Sequence, residues 1–367
     1  FYPEKDKVFF LLPKTWKAKG GKIKFTPPQR NNVYTTSAYF YHSDYPIIKG
    51  LLKGWMPMFP FFLAKHKFDI VYSSSEPILL TTLYQGIWSK LFGKKHVIFT
   101  WENVNHDQKS GGFNAFVKKT IIRLNLFFCD GVVCGNKKAA KIIEKFKIQN
   151  SKFKILVCPL SGVDTEFFRK TNTDKKFQGA DFSGKVIFTF AGALGYRKGI
   201  HLVIESMPEV IKKLPNVHLV IAGAGEYDEG LKLKVESLKL EEYVTFIPWL
   251  DRFGLKELLS VTDIFLYPSI SYGGWAEQFG YSMAEASLME IPILSTNTGS
   301  IDEVVINSET GLLIESDNVS QLTEAMLKLG SDKELRTRMG KAGRKFIENN
   351  FSYKVIAEKF YNFFKTL

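Results

Sequence analysis

Two glutamates eight residues apart, Glu277 and Glu285, are the most informative feature of this 367-residue sequence. A Phe-Gly step, Phe279-Gly280, lies between them, and a helix-like run follows it. A helix N-terminus binds phosphate through its unpaired N–H groups and partial positive charge, and a glycine lets phosphate approach the backbone closely. A carboxylate one or two turns into the helix can accept hydrogen bonds from sugar or ribose hydroxyls. The pattern therefore indicates a ligand that combines a diphosphate with several hydroxyl groups, as in a nucleotide sugar.

The elements around these glutamates predict an α/β fold. Strands and helices alternate through nearly the whole chain, which is typical of parallel sheets wrapped by helices. We predict strands at 7–12, 68–73, 95–100, 130–134 and 153–158, and then at 185–191, 217–223, 243–247, 263–267, 291–295 and 311–315. Open parallel sheets bind ligands beyond the carboxyl ends of their strands. The polar motifs of the second half all follow predicted strands, so we expect them to converge on one edge.

Five segments in order carry a family resemblance. They are PLSGVD at 159–164, AGALGYRKG at 191–199, LVIAGAG at 219–225, the E-x-F-G-x-x-x-x-E-A pattern at 277–286, and TGSIDEV at 298–304. Together they resemble retaining glycosyltransferase family 4, the group 1 glycosyltransferases. The resemblance covers nearly the whole chain and is strongest from about 155 to 320. It implies the GT-B fold, in which two Rossmann-like domains with parallel sheets face a central cleft.

The resemblance also implies a domain organisation. Residues 1–165 would form an acceptor-side domain, residues 166–349 a donor-binding domain, and residues 350–367 a C-terminal helix that packs back on the first domain. We interpret the polar stretch 169–184 as a linker because it has no apolar periodicity. The chain does not begin with Met, and its first strand-like run resembles the second strand of the family. We therefore expect the first strand-helix unit of the family to be absent from it.

The resemblance assigns roles around the donor. Glu285 would accept bonds from the ribose, and Glu277 would contact the donor sugar and stabilise charge developing at the anomeric carbon. Lys198 matches the family lysine that pairs with the phosphates. The usual arginine of the same motif is Ala193 here, and we expect Arg197 to supply that charge. The ordinary alternative is that each is a surface or helix-end charge.

Backbone and small residues complete the expected donor site. Phe279 and Gly280 would offer N–H groups to the diphosphate, and Ser269 ends the preceding strand-like run. A further set of glycines would allow close approach or tight turns: Gly192, Gly223 and Gly225. Since no third glycine follows at the spacing of a dinucleotide fingerprint, we reject NAD as a cofactor.

Glu102 and His106 follow the predicted strand at 95–100 and are the first-half candidates for catalysis. Many members of the family carry a histidine near this point that meets the donor sugar and the acceptor. In this sequence the corresponding position is Glu102 or its neighbour Asn103, with His106 a few residues later on a polar loop. The ordinary alternative for all of them is a solvated loop.

No metal or cofactor is expected. The chain has no Asp-x-Asp pair, which holds a metal on the donor diphosphate in the other main glycosyltransferase fold, and no Cys/His spacing typical of zinc. Three cysteines are too few for a disulfide framework, so we expect buried thiols in a reducing compartment.

The charge distribution points to an anionic partner of the first half. Residues 1–165 contain 26 Lys and Arg against 10 Asp and Glu, a balance of +16, whereas the whole chain is at +13. With no signal peptide or transmembrane segment recognised, we expect a cytoplasmic protein that is peripheral at the inner face of the membrane. Lysines and aromatic residues at 47–62 and 113–128 are candidates for that attachment.

The expected function is transfer of a sugar from a nucleotide donor to a glycan or lipid-linked acceptor, in surface polysaccharide, lipopolysaccharide or glycolipid synthesis, without a nucleic-acid partner. Two alternatives remain at this point: a nucleotide-sugar epimerase of the same fold, which needs no acceptor, and a non-catalytic nucleotide-sugar binding protein. Release of nucleoside diphosphate only with acceptor would favour the first function.

Overall fold

The computed structural model describes residues 2–17, 24–25, 27–40, 50–104, 112–147, 152–171 and 174–367. The chain divides into two compact units. The first contains Phe1–Ser161 together with Ile356–Leu367, and the second is Gly162–Val355. Residues 162–165 and 350–355 thus belong to the second unit.

The first unit begins with short strands. β1 (Phe10–Pro13) pairs in parallel with β4 (Val33–Thr36), and β2 (Trp16–Lys17) pairs antiparallel with β3 (Lys24–Phe25). Helix α1 (Phe59–Lys65) follows. The sequence analysis missed β4, whose residues lack the apolar run by which a buried strand is recognised.

A four-stranded parallel sheet forms the centre of the first unit. Its strands are β5 (Ile70–Ser73), β6 (Lys95–Thr100), β7 (Gly131–Cys134) and β8 (Lys154–Val157), adjacent in that order. The connections are α2 (Leu80–Leu91), α3 (Gly112–Phe128) and α4 (Lys137–Glu144). Helices on both faces bury the central strands, so their runs are almost wholly apolar and the predicted strands here are confirmed.

The C-terminal residues pack on this first sheet. The rings of Phe360 and Phe364 lie 5.5 and 5.9 Å from the ring of Tyr72 on β5. A side chain at Gly131 on β7 would come within 2.8 Å of the Phe363 ring, so the chain approaches β7 as closely as a glycine allows. The aromatic pattern of the tail is explained by these contacts.

The second unit starts with a hairpin that corrects the predicted linker at 169–184. β9 (Lys176–Phe177) and β10 (Ala180–Asp181) pair antiparallel, and Phe177 and Phe182 are buried. Lys175 donates a 2.6 Å hydrogen bond to the Asp263 carboxylate. The segment is therefore part of the second unit, and the pattern was missed because each strand has only two residues.

Six parallel strands make up the sheet of the second unit: β11 (Val186–Ala191), β12 (Val217–Ala222), β13 (Val244–Ile247), β14 (Ile264–Tyr267), β15 (Ile293–Thr296) and β16 (Gly311–Ile314). Their spatial order is β13-β12-β11-β14-β15-β16. The order reverses between β11 and β14, which creates a switch point where loops from adjacent strands diverge. All six strands were predicted from the sequence.

Helices cover both faces of this sheet. They are α5 (Ile200–Lys213), α6 (Asp228–Ser237), α7 (Arg252–Val261), α8 (Tyr281–Leu288), α9 (Val319–Ser331) and α10 (Lys333–Phe351), followed by the terminal helix α11 (Tyr353–Lys365). Side-chain caps fix several starts, as where Asn318 accepts a hydrogen bond from the Gln321 amide. Fully buried phenylalanines on β11 and β14 fill the core beneath the switch point.

Candidate functional site

The candidate site lies at the carboxyl ends of β11, β12, β14 and β15. Parallel strands bring these ends to one edge of the sheet, and the loops that follow them carry most of the residues proposed from the sequence. The edge includes the switch point between β11 and β14, where α/β sheets bind ligands.

A buried ion pair forms the centre of the site. The Lys198 ammonium lies 2.6 Å from Oε2 of Glu277, although the two residues are 79 positions apart in the chain. Lys198 is 7% exposed and Glu277 6% exposed. Buried charges are tolerated only when paired and hydrogen-bonded, so this pair is a costly arrangement that indicates a special role at this position.

Tyr267, at the end of β14, joins the two charges. Its hydroxyl accepts a 2.5 Å hydrogen bond from Lys198 and donates a 2.9 Å bond to Glu277 Oε2. Ser269 donates to the same carboxylate oxygen at 3.3 Å. Glu277 Oε2 therefore receives three donors, which fixes its orientation. The sequence analysis missed Tyr267, because within an apolar strand it resembles a core residue.

Burial shifts the pKa values of Lys198 and Tyr267 in opposite directions. Burial lowers the pKa of Lys198, and the neighbouring Glu277 carboxylate works against that change. Burial raises the pKa of Tyr267 well above its ordinary value, and the Glu277 charge adds to the effect. Tyr267 therefore stays protonated near neutral pH and serves there as a hydrogen-bond donor.

The backbone of Glu277 is held by the loop after β15. The Ser300 amide donates a 2.8 Å hydrogen bond to the Glu277 carbonyl. Gly299 has φ +54°, and a Cβ there would lie 2.0 Å from that carbonyl oxygen. Only glycine fits at position 299. This contact gives a physical reason for the glycine in the 298–304 segment, which the resemblance alone did not give.

Arg197 stacks on Trp275. Its guanidinium carbon lies 3.7 Å from the centre of the indole ring, which is a close cation–π contact. Its Nη1 is buried and has no hydrogen-bond partner among the described residues. Arg197 is adjacent to Lys198 in the 3₁₀ turn Tyr196–Lys198, so two cations reach the same edge of the sheet. The sequence analysis missed this contact of Trp275.

Glu285 lies in the second turn of α8, and its carboxyl group has a raised pKa. Burial raises its pKa from 4.5 to about 7, and the distant charge of Arg252 only partly opposes this. No described residue gives its carboxylate a hydrogen bond. A half-buried carboxylate without protein donors is the arrangement expected of a group that receives hydroxyl donors from a ligand.

The residues before α8 have clear structural roles. Gly280 caps the helix with φ +79°, and a Cβ there would come within 2.4 Å of Met283. The Phe279 ring is buried and packs on Tyr281 and Phe351, at 4.8 and 5.1 Å between ring centres. This packing fixes the position of the helix start, and the phosphate contacts of Phe279 and Gly280 stay predictions.

Three further glycines let two loops touch. A Cβ at Gly223 would lie 1.9 Å from the Gly192 carbonyl oxygen, and one at Gly225 would lie 2.2 Å from that of Leu194. The Gly192 amide in turn donates to the Ala222 carbonyl at 3.0 Å. These contacts explain the glycines by packing, and donor contact at them also stays a prediction.

The first-half candidates are only partly described. Glu102 belongs to the first unit, where its Oε1 accepts a 3.2 Å hydrogen bond from the Val104 amide. Glu76, which the sequence analysis missed, organises the same strand end by accepting bonds from the Thr100 hydroxyl and the Trp101 amide. His106 lies outside the described residues.

The structure thus brings Arg197, Lys198, Ser269 and Glu277 together and adds Tyr267 to them. In the described part of the chain, no cluster of three or more His, Cys, Asp or Glu side chains could hold a metal ion. All three cysteines are buried as free thiols, and burial raises the pKa of each to about 12.

Comparison with known sequences shows what the second unit is similar to. Residues 171–346 match the family model of glycosyl transferases group 1. A GDP-mannose-dependent monoacylated alpha-(1-6)-phosphatidylinositol monomannoside mannosyltransferase of Corynebacterium glutamicum is 30% identical over 210 residues, which are 55% of this chain and 54% of that protein. The capsular polysaccharide biosynthesis glycosyltransferase CapM of Staphylococcus aureus is 27% identical over 260 residues, 70% of this chain and 66% of that protein. The matched regions therefore span about half to two thirds of these relatives.

Comparison with solved structures gives the fold. The HepE structure of Anabaena, in complex with UDP and glucose, aligns with a TM-score of 0.70 over 91% of this chain and 86% of that chain, at 16% identity. Sucrose-phosphate synthase of Thermosynechococcus elongatus aligns with a TM-score of 0.68 over 93% of this chain and 84% of that chain, at 18% identity. Likeness at this identity establishes architecture and not activity. The fold is GT-B, with two Rossmann-like domains, and residues 171–346 are similar to the group 1 glycosyltransferases.

Proposed function

We propose that the protein is a retaining glycosyltransferase of family 4 that moves a sugar from a nucleotide-sugar donor to an acceptor hydroxyl. The observation that carries the proposal is the buried Lys198–Glu277 pair at the strand ends of a unit that matches the family model of glycosyl transferases group 1. A cation there can meet a diphosphate, and a carboxylate beside it can meet the sugar attached to that diphosphate.

The donor would extend across the edge of the second sheet. Lys198 and Arg197 would neutralise the diphosphate, and the backbone at Phe279-Gly280 would add N–H donors. Glu285 would accept the ribose hydroxyls. Its raised pKa supports this role, because hydroxyl donors from a ligand would stabilise the charged form that burial disfavours.

Glu277 is proposed to act on the sugar and not as a nucleophile. Its Oε2 already accepts hydrogen bonds from Lys198, Tyr267 and Ser269, which disperse its charge and weaken it as a nucleophile. We therefore favour attack on the same face as the departing group. The bond from the anomeric carbon to the phosphate oxygen breaks, the bond to the acceptor oxygen forms, and the acceptor proton passes to the leaving phosphate.

Stabilisation of the leaving group is proposed to need no metal ion. Breaking the glycosidic bond concentrates charge on the nucleoside diphosphate, and fixed cations in a buried site stabilise such charge strongly. Lys198 and Arg197 are those cations, and the Arg197 Nη1 without a partner among the described residues is a donor available to an anion.

The acceptor is proposed to be a glycan or lipid-linked sugar in surface polysaccharide, lipopolysaccharide or glycolipid synthesis. The names of the relatives include capsular polysaccharide synthesis and a phosphatidylinositol mannoside, which supports acceptors of this class. We further propose a cytoplasmic protein that meets the inner face of the membrane, in line with the +16 balance of residues 1–165.

A donor screen tests the proposal. The intact chain is incubated with UDP- and GDP-sugars, with and without lipid-linked acceptors, and nucleoside diphosphate release is measured. We expect release that depends on acceptor, with the donor's anomeric configuration retained in the product by NMR. An inverted product would overturn the retaining mechanism, and acceptor-independent release of free sugar would indicate an epimerase-type reaction. Glu309 is an exposed acid of the second unit, and Glu309→Gln is the control variant for the glutamate substitutions proposed below.

A further inference from the structure

Helix α3 of the first unit exposes an aromatic stripe. Phe113 is 79% exposed, Phe116 63%, Leu124 42% and Phe127 78%. Their spacing of three, eight and three residues places all four on one side of the helix. We call these four residues the aromatic face. Phenylalanine is seldom so exposed, and several exposed apolar side chains on one side of a helix indicate a site of interaction.

The other side of α3 is an ordinary core surface. Ile122 and Leu126 are buried in the same cluster as Val132 of β7. The helix is therefore already anchored in the fold by its inner side. Packing of α3 in the unit does not require the aromatic face, so substitution there should leave the fold intact.

Positive charge accompanies the aromatic face. The helix carries Lys118, Lys119 and Arg123 and no acidic residue. Arg123 is exposed next to Leu124 of the face. Residues 1–165 together have a balance of +16. Apolar rings beside cations match the chemistry of an anionic lipid surface, where the rings enter the boundary layer and the cations meet the headgroups.

The structure also distinguishes α3 from residues 47–62, the other stretch considered for membrane attachment. Within the described part of that stretch, Trp55 and Phe59 pack on Tyr84, at 6.0 and 6.3 Å between ring centres. Only Met58 and Phe61 are largely exposed among its apolar residues that the structure describes. Most of the described apolar residues of that stretch are therefore buried or partly buried, whereas α3 exposes four apolar side chains on one side.

We propose that the aromatic face of α3 docks on the surface of an anionic lipid bilayer, with the helix axis parallel to the membrane plane. Its three phenylalanines and Leu124 enter the boundary between headgroups and acyl chains, and Arg123 contacts anionic headgroups. The inference deepens the proposed function, because a lipid-linked acceptor would be met at this surface, but docking itself does not depend on catalysis. Among the described residues, no helix has the length and apolar character to span a bilayer.

Vesicle co-sedimentation of the intact chain tests the proposal. Vesicles of phosphatidylcholine alone are compared with vesicles containing phosphatidylglycerol, at low and high salt. We expect binding to the anionic vesicles that weakens as salt rises. The Phe116→Ser/Phe127→Ser variant should lose about a hundredfold or more in partitioning, because burial of each phenylalanine is worth about a tenfold change or more. Arg123→Glu should weaken binding to anionic vesicles.

Leu233→Ser is the control for loss of an exposed apolar side chain outside the aromatic face. Leu233 is 64% exposed on α6 of the second unit, and its loss should leave partitioning unchanged. Equal binding by the double variant and the wild type, or no binding of the wild type to anionic vesicles at low salt, would overturn the proposal. Size-exclusion chromatography with light scattering tests whether a second copy of the chain covers the aromatic face instead. A dimer that the same double substitution abolishes would assign the face to a second copy and overturn the proposal. Donor turnover with a water-soluble acceptor should be equal in all variants, which separates failure of docking from failure of the proposed enzyme.

Discussion

The carboxyl group of Glu285 offers a test of the site that needs no substrate. Its pKa is raised from 4.5 to about 7 because burial disfavours the charged form. Between these two pH values the folded state binds a proton that the unfolded state releases. The free energy of unfolding should therefore fall as pH rises from about 4.5 to about 7, since stability decreases wherever the folded state binds more protons.

The size of the effect follows from the same two pH values. A change of one pH unit in a pKa corresponds to about 1.4 kcal/mol, so ionising Glu285 in the folded protein costs on the order of 3 kcal/mol above pH 7. Glutamine has nearly the same shape and no charge. Glu285→Gln should therefore be about as stable as the wild type near pH 4.5 and more stable by up to about 3 kcal/mol near pH 8.

Chemical denaturation of both proteins at a series of pH values measures this difference. The denaturant slopes should agree, so that the midpoints report stability alone. The Glu309→Gln control should show no comparable gain between pH 5 and pH 8 relative to wild type. If the wild type and Glu285→Gln differ by the same amount at every pH, burial does not hold the pKa near 7 and the electrostatic part of the argument fails.

Glu285→Gln also tests the proposed contact between the Glu285 carboxylate and the ribose hydroxyls. Glutamine offers the ligand hydroxyls a neutral acceptor in place of a charged one, and hydrogen bonds to charged groups are worth about 1.5–3 kcal/mol. Glu285→Gln should weaken nucleoside diphosphate binding by about tenfold or more in calorimetry at pH 8, and Glu285→Ala should weaken it further. Unchanged affinity in Glu285→Ala would refute the ribose contact.

Four other outcomes are expected. Glu277→Gln should lower turnover by about a hundredfold or more while nucleoside diphosphate affinity is largely kept, since its role is at the sugar; equal losses in both measurements would contradict that division. Tyr267→Phe should lower turnover by about tenfold, because Glu277 loses a donor, with a smaller change in KM; normal turnover would remove Tyr267 from the positioning network. Gly299→Ala should lower the melting temperature and the activity together, because its Cβ would overlap the Glu277 carbonyl, and a wild-type melting curve would argue against this contact. Turnover should survive EDTA because Lys198 and Arg197 are proposed to neutralise the diphosphate, and loss of activity restored by magnesium or manganese would show that a metal is needed.

The architecture was accessible from the sequence because parallel strands buried on both faces are continuous apolar runs. β11 to β16 of the second sheet were predicted in this way, with the helices between them. Elements without such runs were not. The β9–β10 hairpin has two residues per strand, and its buried side chains are Phe177 and the adjacent Phe182, whose ring contacts that of His218, far away in the chain. Local periodicity carries no information on contacts of that kind.

The site was accessible only as a set of separate residues. Motif spacing singled out Lys198, Glu277 and Glu285, but it assigned the first two to different parts of the donor. Their direct contact depends on the approach of the loops after β11 and β14, which is a property of the folded sheet. Tyr267 has the apolar neighbours of any central strand residue, so no signal in the sequence distinguishes its hydroxyl as a site group.

The Lys198–Glu277 pair has a consequence for how the proposed donor would enter. Lys198 cannot contact a diphosphate at full strength while its ammonium group pairs with the Glu277 carboxylate, so binding must lengthen or share that 2.6 Å contact. Two bonds would then hold the carboxylate in place, from Tyr267 at 2.9 Å and from Ser269 at 3.3 Å. These two bonds would keep Glu277 in position while the cation turns to the phosphates. Such an arrangement lets a single buried pair provide, once the donor is bound, a cation for the leaving group and an anion for the charge that develops at the anomeric carbon.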